Sequence, residues 1–198
     1  LPTERWLGVA MLLPAFGLVT AGLLASTLHL GHPERAWRAV SQWRSSWLSR
    51  EGIMAIISYC PALLFGYSWI VLEKVEGPWV WAGFATTLCS MTTLFTTGMI
   101  YRSLKPIPAW ATDWTTISYL VIGPLTGLIT IVAVAATIGF HPARFQVPGL
   151  LLGLMAAVAK NAYWKRQKSV FPSVDPGSAI GAPKDSLESI EWPHTEEN

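Results

Sequence analysis

The side chains best suited to chemistry lie close together in one short stretch of the chain, TLHLGHPERAWRAVSQWRSSWLSREG, residues 27–52. The ionisable candidates within it are His29, His32, Arg35 and Glu51. A histidine can take up or release a proton near neutral pH, a carboxylate can carry protons away, and a nearby arginine stabilises developing negative charge. The stretch could therefore bind a group that exchanges protons, provided that the chain folds so as to bring these side chains together.

The rest of the chain has the composition of a membrane protein. Of its 198 residues, 52% are hydrophobic and only 13% are charged, whereas soluble domains carry about 25% charged residues. The net charge of +2 is small, and no block of Lys and Arg resembles a surface for nucleic acid. Cys60 and Cys89 lie inside apolar runs without the C-x-x-C spacing of a metal or redox site. We therefore expect membrane lipid, and not nucleic acid, to be a partner.

Five apolar segments are long enough to cross a membrane as helices. They are residues 6–30, 52–72, 79–101, 115–140 and 147–164. Each approaches the roughly 20 apolar residues that cross a hydrocarbon layer about 30 Å thick. We predict an all-α integral membrane helix bundle over residues 1–164, followed by a polar loop or tail over residues 165–198.

The segment between the first two spans predicts an interfacial amphipathic helix over residues 33–48. At 100° per residue, one face carries the apolar residues Ala36, Trp37, Ala39, Val40, Trp43, Trp47 and Leu48. Such a helix lies in the membrane surface with its Trp residues toward lipid headgroups or a neighbouring subunit. Trp37 and Trp43 are thus candidate interface or pocket residues, and we expect Ser49 to cap the following span.

The return of the chain into the membrane brings Glu51 back near the level of His29. We therefore predict a pocket of His29, His32, Arg35 and Glu51 at the membrane surface, with side chains that suit a quinone headgroup. A simpler explanation is that Glu51 compensates a helix dipole and Arg35 meets lipid phosphate. The residues alone leave both explanations open.

Two further functions remain open at this point, a haem protein and a small carrier. His29 and His141 are predicted at opposite membrane faces, so they cannot ligate one haem, but His29 could pair with His32 or His194. A carrier more often has ionisable groups near the midplane, and the centres of the five predicted spans have none.

Several runs of sequence resemble the DmsC-type membrane-anchor subunit of dimethyl sulfoxide reductase-like molybdoenzymes. They are LHLGHPERAW, WLSREG, YRSLKPIPAWATDWTTISYL and the tail SAIGAPKDSLESIEWPHTEEN. The resemblance implies an eight-helix anchor in the bacterial inner membrane that itself performs no substrate chemistry. Five spans lie in this chain, and we expect one more before Leu1 and two after Asn198.

The resemblance also implies cofactors and partners. The anchor would bind menaquinone or ubiquinone, carry no haem and no metal, and hold two hydrophilic partners: a four-cluster [4Fe–4S] electron-transfer subunit and a molybdopterin catalytic subunit. The family's quinone-site residues match His29, Gly31, Arg35 and Glu51 of this sequence. Gly31 would let the chain turn out of the first span and leave room for a ring. A purely structural anchor without a quinone site is the alternative.

The distribution of positive charge predicts the orientation of the chain. Eleven of the 14 Lys and Arg residues lie on the His29 side of the predicted topology, and the positive-inside rule makes that side cytoplasmic. The family's dimethyl sulfoxide reductases generally export their catalytic subunit. A related complex with a similar anchor, the quinone-linked sulfite dehydrogenase, keeps its catalytic subunit inside, so the charge distribution favours a complex of that kind.

Overall fold

Apolar runs of about the predicted lengths fold as helices in this protein. The computed structural model describes residues 5–28, 31–137, 139 and 143–170, and in these ranges all the regular structure is helical, as predicted. The helices are α1 (Arg5–Leu28), α2 (Trp37–Ser41), α3 (Trp47–Ile70), α4 (Trp79–Arg102), α5 (Asp113–Thr137) and α6 (Gln146–Val170).

Each predicted span corresponds to one of the five long helices, but the membrane-spanning character of the five differs. By length and composition, α1, α3 and α5 can cross a membrane. In α4 six threonines reduce the hydrophobicity, and α6 ends in the charged sequence KRQKSV. Helix α6 continues to Val170, past residue 164 where the predicted apolar span ends, because a helix can continue into water where the apolar run stops. The remainder of the predicted tail, 171–198, lies outside the described residues.

Helix α1 packs antiparallel against α3. Gly8 lies against the side chains of Trp69 and Ile70, where an added Cβ would come within 3.1–3.2 Å of them. Further along, Thr20 and Tyr59 share a hydrogen bond of 2.8 Å. The small residue Gly8 of α1 thus packs against the Trp69 side chain near the end of α3. Small residues are common where membrane helices approach closely.

The other long helices follow one another as an antiparallel series. Gly83 of α4 packs under the Phe65 ring of α3, and Gly98 of α4 packs on Thr116 of α5. Gly149 of α6 lies against a Leu of α5. Consequently the segment 31–46, the α4–α5 connection and the end of α6 all lie at one end of the bundle, which we call the site end.

The hydroxyl groups of α4 are largely satisfied within the helix itself. The donors to carbonyls three or four residues earlier are Thr86, Thr87, Thr92, Thr93, Thr96 and Thr97. A threonine that bonds to its own helix costs little in an apolar environment. The pattern allows this Thr-rich helix to sit between α3 and α5.

The predicted continuous helix over residues 33–48 is wrong. The chain forms one 3₁₀ turn at Pro33–Arg35, the short helix α2 at Trp37–Ser41, and turns at 42–45. Helix α3 then begins at Trp47, with Ser46 as its N-cap accepting a hydrogen bond from the Ser49 amide at 3.3 Å. The predicted cap at Ser49 is therefore also wrong.

Arg50 explains why the helix breaks. Its Nε donates to the Trp43 carbonyl at 2.8 Å, and its Nη2 donates to the Arg44 carbonyl at 2.7 Å. Its guanidinium also lies over the Trp47 ring, 4.1 Å from the centroid. Carbonyls that a continuous helix would use for its own hydrogen bonds are thus bound by a side chain, and the turn is fixed against the start of α3.

We expect Arg50→Ala to loosen this turn. Two hydrogen bonds from a charged, partly exposed donor stabilise the turn by about 1–2 kcal/mol in total. Amide hydrogen exchange over residues 42–49 should then be faster by about tenfold. Arg38→Ala is the control, because Arg38 makes a cation–π contact with Trp37 at 5.6 Å, outside the turn. Equal exchange rates in the two variants would contradict this role.

Candidate functional site

Glu51 and Thr97 join α3 to α4 at the site end. Glu51 is partly buried in the second turn of α3, and its carboxylate accepts a hydrogen bond from Thr97 Oγ1 at 2.5 Å. The same hydroxyl lies 2.9 Å from the Thr93 carbonyl. Thr97 can therefore donate to an ionised Glu51, or accept from a neutral Glu51 while donating to Thr93. The contact suits both protonation states, as a residue that takes up and releases a proton requires.

Two tyrosines continue the polar region from Glu51 toward α5. Tyr101 and Tyr119 stack with their ring planes 8° apart and their centroids 5.7 Å apart. Tyr101 lies one helical turn beyond Thr97, the hydrogen-bond partner of Glu51. Trp110 meets the Tyr101 ring edge-on, with the centroids 5.3 Å apart. The carboxylate thus lies next to an ordered aromatic cluster.

The tyrosine pair forms one wall of a cavity of about 330 Å³ between α4, α5 and α6. The aromatic residues that line it are Tyr101, Trp110, Tyr119 and Tyr163. The polar ones are Thr115, Ser118 and Lys160. Ligand sites generally have volumes of about 300–1,000 Å³ and combine apolar walls with a few polar groups. By these criteria the cavity can hold a small ring.

The connection between α4 and α5 contributes Trp110 to the lining of the cavity at the site end. The Gln167 amide of α6 donates to the Ala109 carbonyl at 2.7 Å, which ties α6 to this connection. The Thr115 hydroxyl donates to the Trp110 carbonyl at 2.8 Å. An ion pair between Arg102 and Asp113, 2.5 Å long, joins the two helix ends. These contacts fix the position of the Trp110 ring over the cavity.

The close approach of α4 and α5 at Gly98 positions the aromatic cluster. A Cβ at Gly98 would lie 2.8 Å from Thr116 Cα, which is closer than real Cβ contacts allow. Tyr101 and Tyr119 each lie three residues further along their helices. Glycine at position 98 lets the two backbones approach closely one turn from the stacked rings.

The structure brings only some of the predicted site residues together. Glu51 pairs with Thr97, whereas His32 and Arg35 both pair with Glu34, at 3.0 Å and 3.8 Å respectively. No hydrogen bond or ion pair among the described side chains joins Arg35 to Glu51. His32, Glu34 and Arg35 thus form an exposed charged group of their own at the site end.

The remaining predicted residues lie near this group or outside the described ranges. His29 is outside them, and its place in a pocket stays a prediction. Gly31 is exposed, and an added Cβ would meet nothing within 4 Å. Trp37 is 65% exposed and Trp43 is 53% exposed. These two tryptophans are free to contact lipid or another subunit.

The sequence reasoning missed the partners of Glu51. Thr97 lies 46 residues away in the chain, among several similar threonines of α4. Lys160 lies within the fifth predicted span, but nothing in the sequence showed that it lines a cavity together with Tyr119 and Ser118. One signal in the sequence could have indicated the site. In an antiparallel series of helices, alternate helix ends lie at the same end of the bundle, and the polar and aromatic residues of α4, α5 and α6 are concentrated at the ends that meet there.

The fold and the site together define a class of protein. Several helices are long and apolar enough to span a membrane, and a polar and aromatic site lies at one end of the bundle. These features are typical of a multi-pass membrane protein. The sequence model of the DMSO reductase anchor subunit (DmsC) family matches residues 5–169. The chain therefore belongs to the DmsC family, as the resemblance had indicated.

A curated relative is similar to most of the chain. It is the C component of the sulfite dehydrogenase of Allochromatium vinosum, 32% identical over 182 residues, which are 85% of this chain and 55% of that protein. The chain thus spans about half the length of this relative. No solved structure matches. The family takes its name from an anchor subunit of DMSO reductase.

Proposed function

We propose that the chain is the quinone-binding anchor of its complex, and that it passes electrons between the membrane quinone pool and a [4Fe–4S] partner subunit. A molybdopterin subunit would carry the substrate chemistry, and this chain would bind menaquinone or ubiquinone but no haem and no metal. Membership of the DmsC family supports the complex. The structure of the site end supports the proposal of a quinone site.

That observation is the Glu51–Thr97 pair beside an aromatic cavity. Oxidation of a quinol releases two electrons and two protons, and reduction of a quinone takes up the same number, so the site needs a group that accepts and returns protons. Glu51 is partly buried and has a hydrogen-bond partner for either protonation state, and that partner, Thr97, lies one helical turn from Tyr101. The electrons go to or come from the iron–sulfur partner, and the protons pass through Glu51 to water.

The other residues of the proposed site have supporting roles. His29 would hydrogen-bond a ring oxygen or exchange the second proton, and Arg35 would stabilise negative charge. The exposed Gly31 leaves space beside them. Arg35 is exposed and pairs with Glu34. We propose that its side chain reorients toward a ligand when one binds.

We also propose that α4 and α6 cross the membrane together with α1, α3 and α5. Helices of 24 and 25 residues are about 36 Å long, enough for a hydrocarbon layer of about 30 Å. Both are packed antiparallel against α5. The membrane would be the bacterial inner membrane, with the site end cytoplasmic, because most Lys and Arg residues lie there.

The direction of electron flow depends on which type of complex the chain belongs to, a reductase or a dehydrogenase. A complex of the DMSO reductase type would take electrons from the quinone pool, whereas a complex of the sulfite dehydrogenase type would deliver electrons to it. The positively charged site end favours the sulfite dehydrogenase type, whose catalytic partner lies in the cytoplasm. In either direction the proton chemistry at Glu51 is the same.

A purely structural anchor is the second candidate, and the exposed Trp37 and Trp43 rings favour it. Large exposed aromatic side chains are typical of interface anchors. If anchoring were the sole function, Trp37→Ala and Trp43→Ala would release the partner subunits, and His29→Ala would change nothing. The two candidates therefore differ in which substitution affects quinone chemistry.

Titration of a short-chain quinol analogue into the complex purified in mild detergent tests the proposal. We expect His29→Ala to weaken binding by about tenfold, because a hydrogen bond to a ring oxygen is lost, while the partner subunits copurify as before. Gln42→Ala, an exposed change in the same segment, is the control. Unchanged binding and unchanged quinone-linked turnover in His29→Ala and Glu51→Gln would refute the site.

A further inference from the structure

Two polar groups in the lining of the cavity between α4, α5 and α6 have no hydrogen-bond or ion-pair partner among the described residues. Ser118 Oγ is buried, and no described residue forms a hydrogen bond with it. The Lys160 ammonium lies 5.4 Å from the centre of the Tyr163 ring, and none of the ion pairs in the described ranges includes it. An unsatisfied buried hydroxyl and an unpaired cation within an apolar helix both cost free energy. A ligand that supplies a hydrogen-bond acceptor would satisfy both.

The walls of the cavity indicate what kind of ligand that is. Four aromatic side chains surround the space, and a flat ring can stack on them or meet their edges. Lys160 is the single cation in the lining, whereas sites for anionic lipid headgroups use clusters of Lys and Arg. The chemistry therefore favours a planar ring with an oxygen that attracts a positively charged donor.

We propose that this cavity binds the ring of the quinone, with Lys160 Nζ and Ser118 Oγ donating hydrogen bonds to one ring oxygen. The proposal rests on the proposed function: it places one ring oxygen among α4, α5 and α6 and leaves the other ring oxygen to His29. Tyr101 lines the cavity and lies one turn of α4 from Thr97, which binds Glu51, so α4 connects the ring to the carboxylate that exchanges protons. Lys160 and Ser118 are thus specificity-determining residues for the quinone.

Photolabelling locates the ring directly. The assembled complex in lipid nanodiscs is irradiated with a short-chain azidoquinone, with and without an excess of unlabelled quinone, and the labelled peptides are identified by mass spectrometry. We expect protectable label on peptides that contain Tyr101, Tyr119 or Tyr163. Protectable label confined to residues 29–51 would overturn the cavity proposal but leave the proposed function standing. The absence of protectable label anywhere in the chain would contradict both.

Substitutions of the two donors test their contribution to binding. Lys160→Met keeps the length of the side chain but removes the charge, and we expect the Kd of a short-chain quinone to rise by about tenfold. Lys165→Met is the control, because Lys165 is exposed further along α6. Equal affinities in Lys160→Met and the wild type would overturn the role of Lys160.

Ser118→Ala separates a ligand role from a structural one. Because the hydroxyl has no partner in the described structure, its removal should leave the midpoint of thermal unfolding unchanged or raise it slightly. At the same time the Kd of the quinone should rise by about threefold. Ser103→Ala, which removes a hydroxyl bonded to the Ile100 carbonyl outside the cavity, should leave the affinity unchanged. A Ser118→Ala complex with wild-type affinity would contradict the proposal.

Discussion

Glu51→Gln is expected to reduce quinone-linked turnover of the assembled complex by about 100-fold or more. A positioned general acid or base contributes about 10²–10⁴ in rate, and glutamine cannot take up a proton at neutral pH. The glutamine carbonyl can still accept the hydrogen bond from Thr97, so the contact between α3 and α4 should persist. The measurement is steady-state turnover with a short-chain quinone, compared with turnover using a redox dye that exchanges electrons directly with the partner subunits.

The dye-linked rate of the Glu51→Gln complex should equal that of the wild type, because the partner subunits are unchanged. Glu76→Gln serves as the matched control: Glu76 is exposed in the α3–α4 connection, at the opposite end of the bundle. We expect both of its rates to be unchanged. A quinone-linked rate of the Glu51→Gln complex close to that of the wild type would show that Glu51 carries no essential proton.

Gly98→Ala is expected to have the largest effect on the bundle itself. The new Cβ would lie 2.8 Å from the backbone of Thr116, and a backbone atom cannot rotate away, so α4 and α5 must separate. Overpacking of this kind costs about 1–3 kcal/mol, which lowers the midpoint of thermal unfolding by about 2–10 °C in a chain of this size. The separation should also disturb the stacking of Tyr101 on Tyr119 and weaken quinone binding.

Gly127→Ala on α5 is the control for this substitution. An added Cβ at Gly127 would meet nothing within 4 Å, and alanine is more favourable than glycine in a helix interior by about 1 kcal/mol. Its unfolding midpoint should therefore be unchanged or higher, with the quinone affinity of the wild type. Equal midpoints for the Gly98→Ala and Gly127→Ala complexes would contradict the close packing of α4 on α5.

The positions of the helices could be predicted from the sequence, because apolar length and flanking residues determine them locally. The span predicted at 79–101 is the helix Trp79–Arg102, and the others differ by a few residues at their ends. The interfacial helix could not be predicted correctly in the same way. The sequence has the periodicity of an amphipathic helix, but the Arg50 side chain binds the Trp43 and Arg44 carbonyls and the chain turns there. Hydrophobic periodicity gives no information about such side-chain contacts.

The site could be predicted only in part, for a related physical reason. Glu51 stood out because a carboxylate where a chain enters a membrane requires an explanation. Its partner Thr97 did not, because which face of α4 meets α3 depends on packing between distant segments. Ser118 and Lys160 become candidate site residues only because they line one cavity between three helices, which the sequence does not show. The role of His29 still rests on the sequence, since it lies outside the described residues.

The number of quinone sites per anchor chain is the measurement that tests the central claim most directly. A short-chain quinone is titrated into the assembled complex in lipid nanodiscs, and bound quinone is counted at equilibrium. We expect one saturable site per chain, with an affinity that falls by about tenfold in His29→Ala while the partner subunits stay bound. A complex that keeps its dye-linked turnover but binds no quinone saturably would contradict the claim and leave a purely structural anchor.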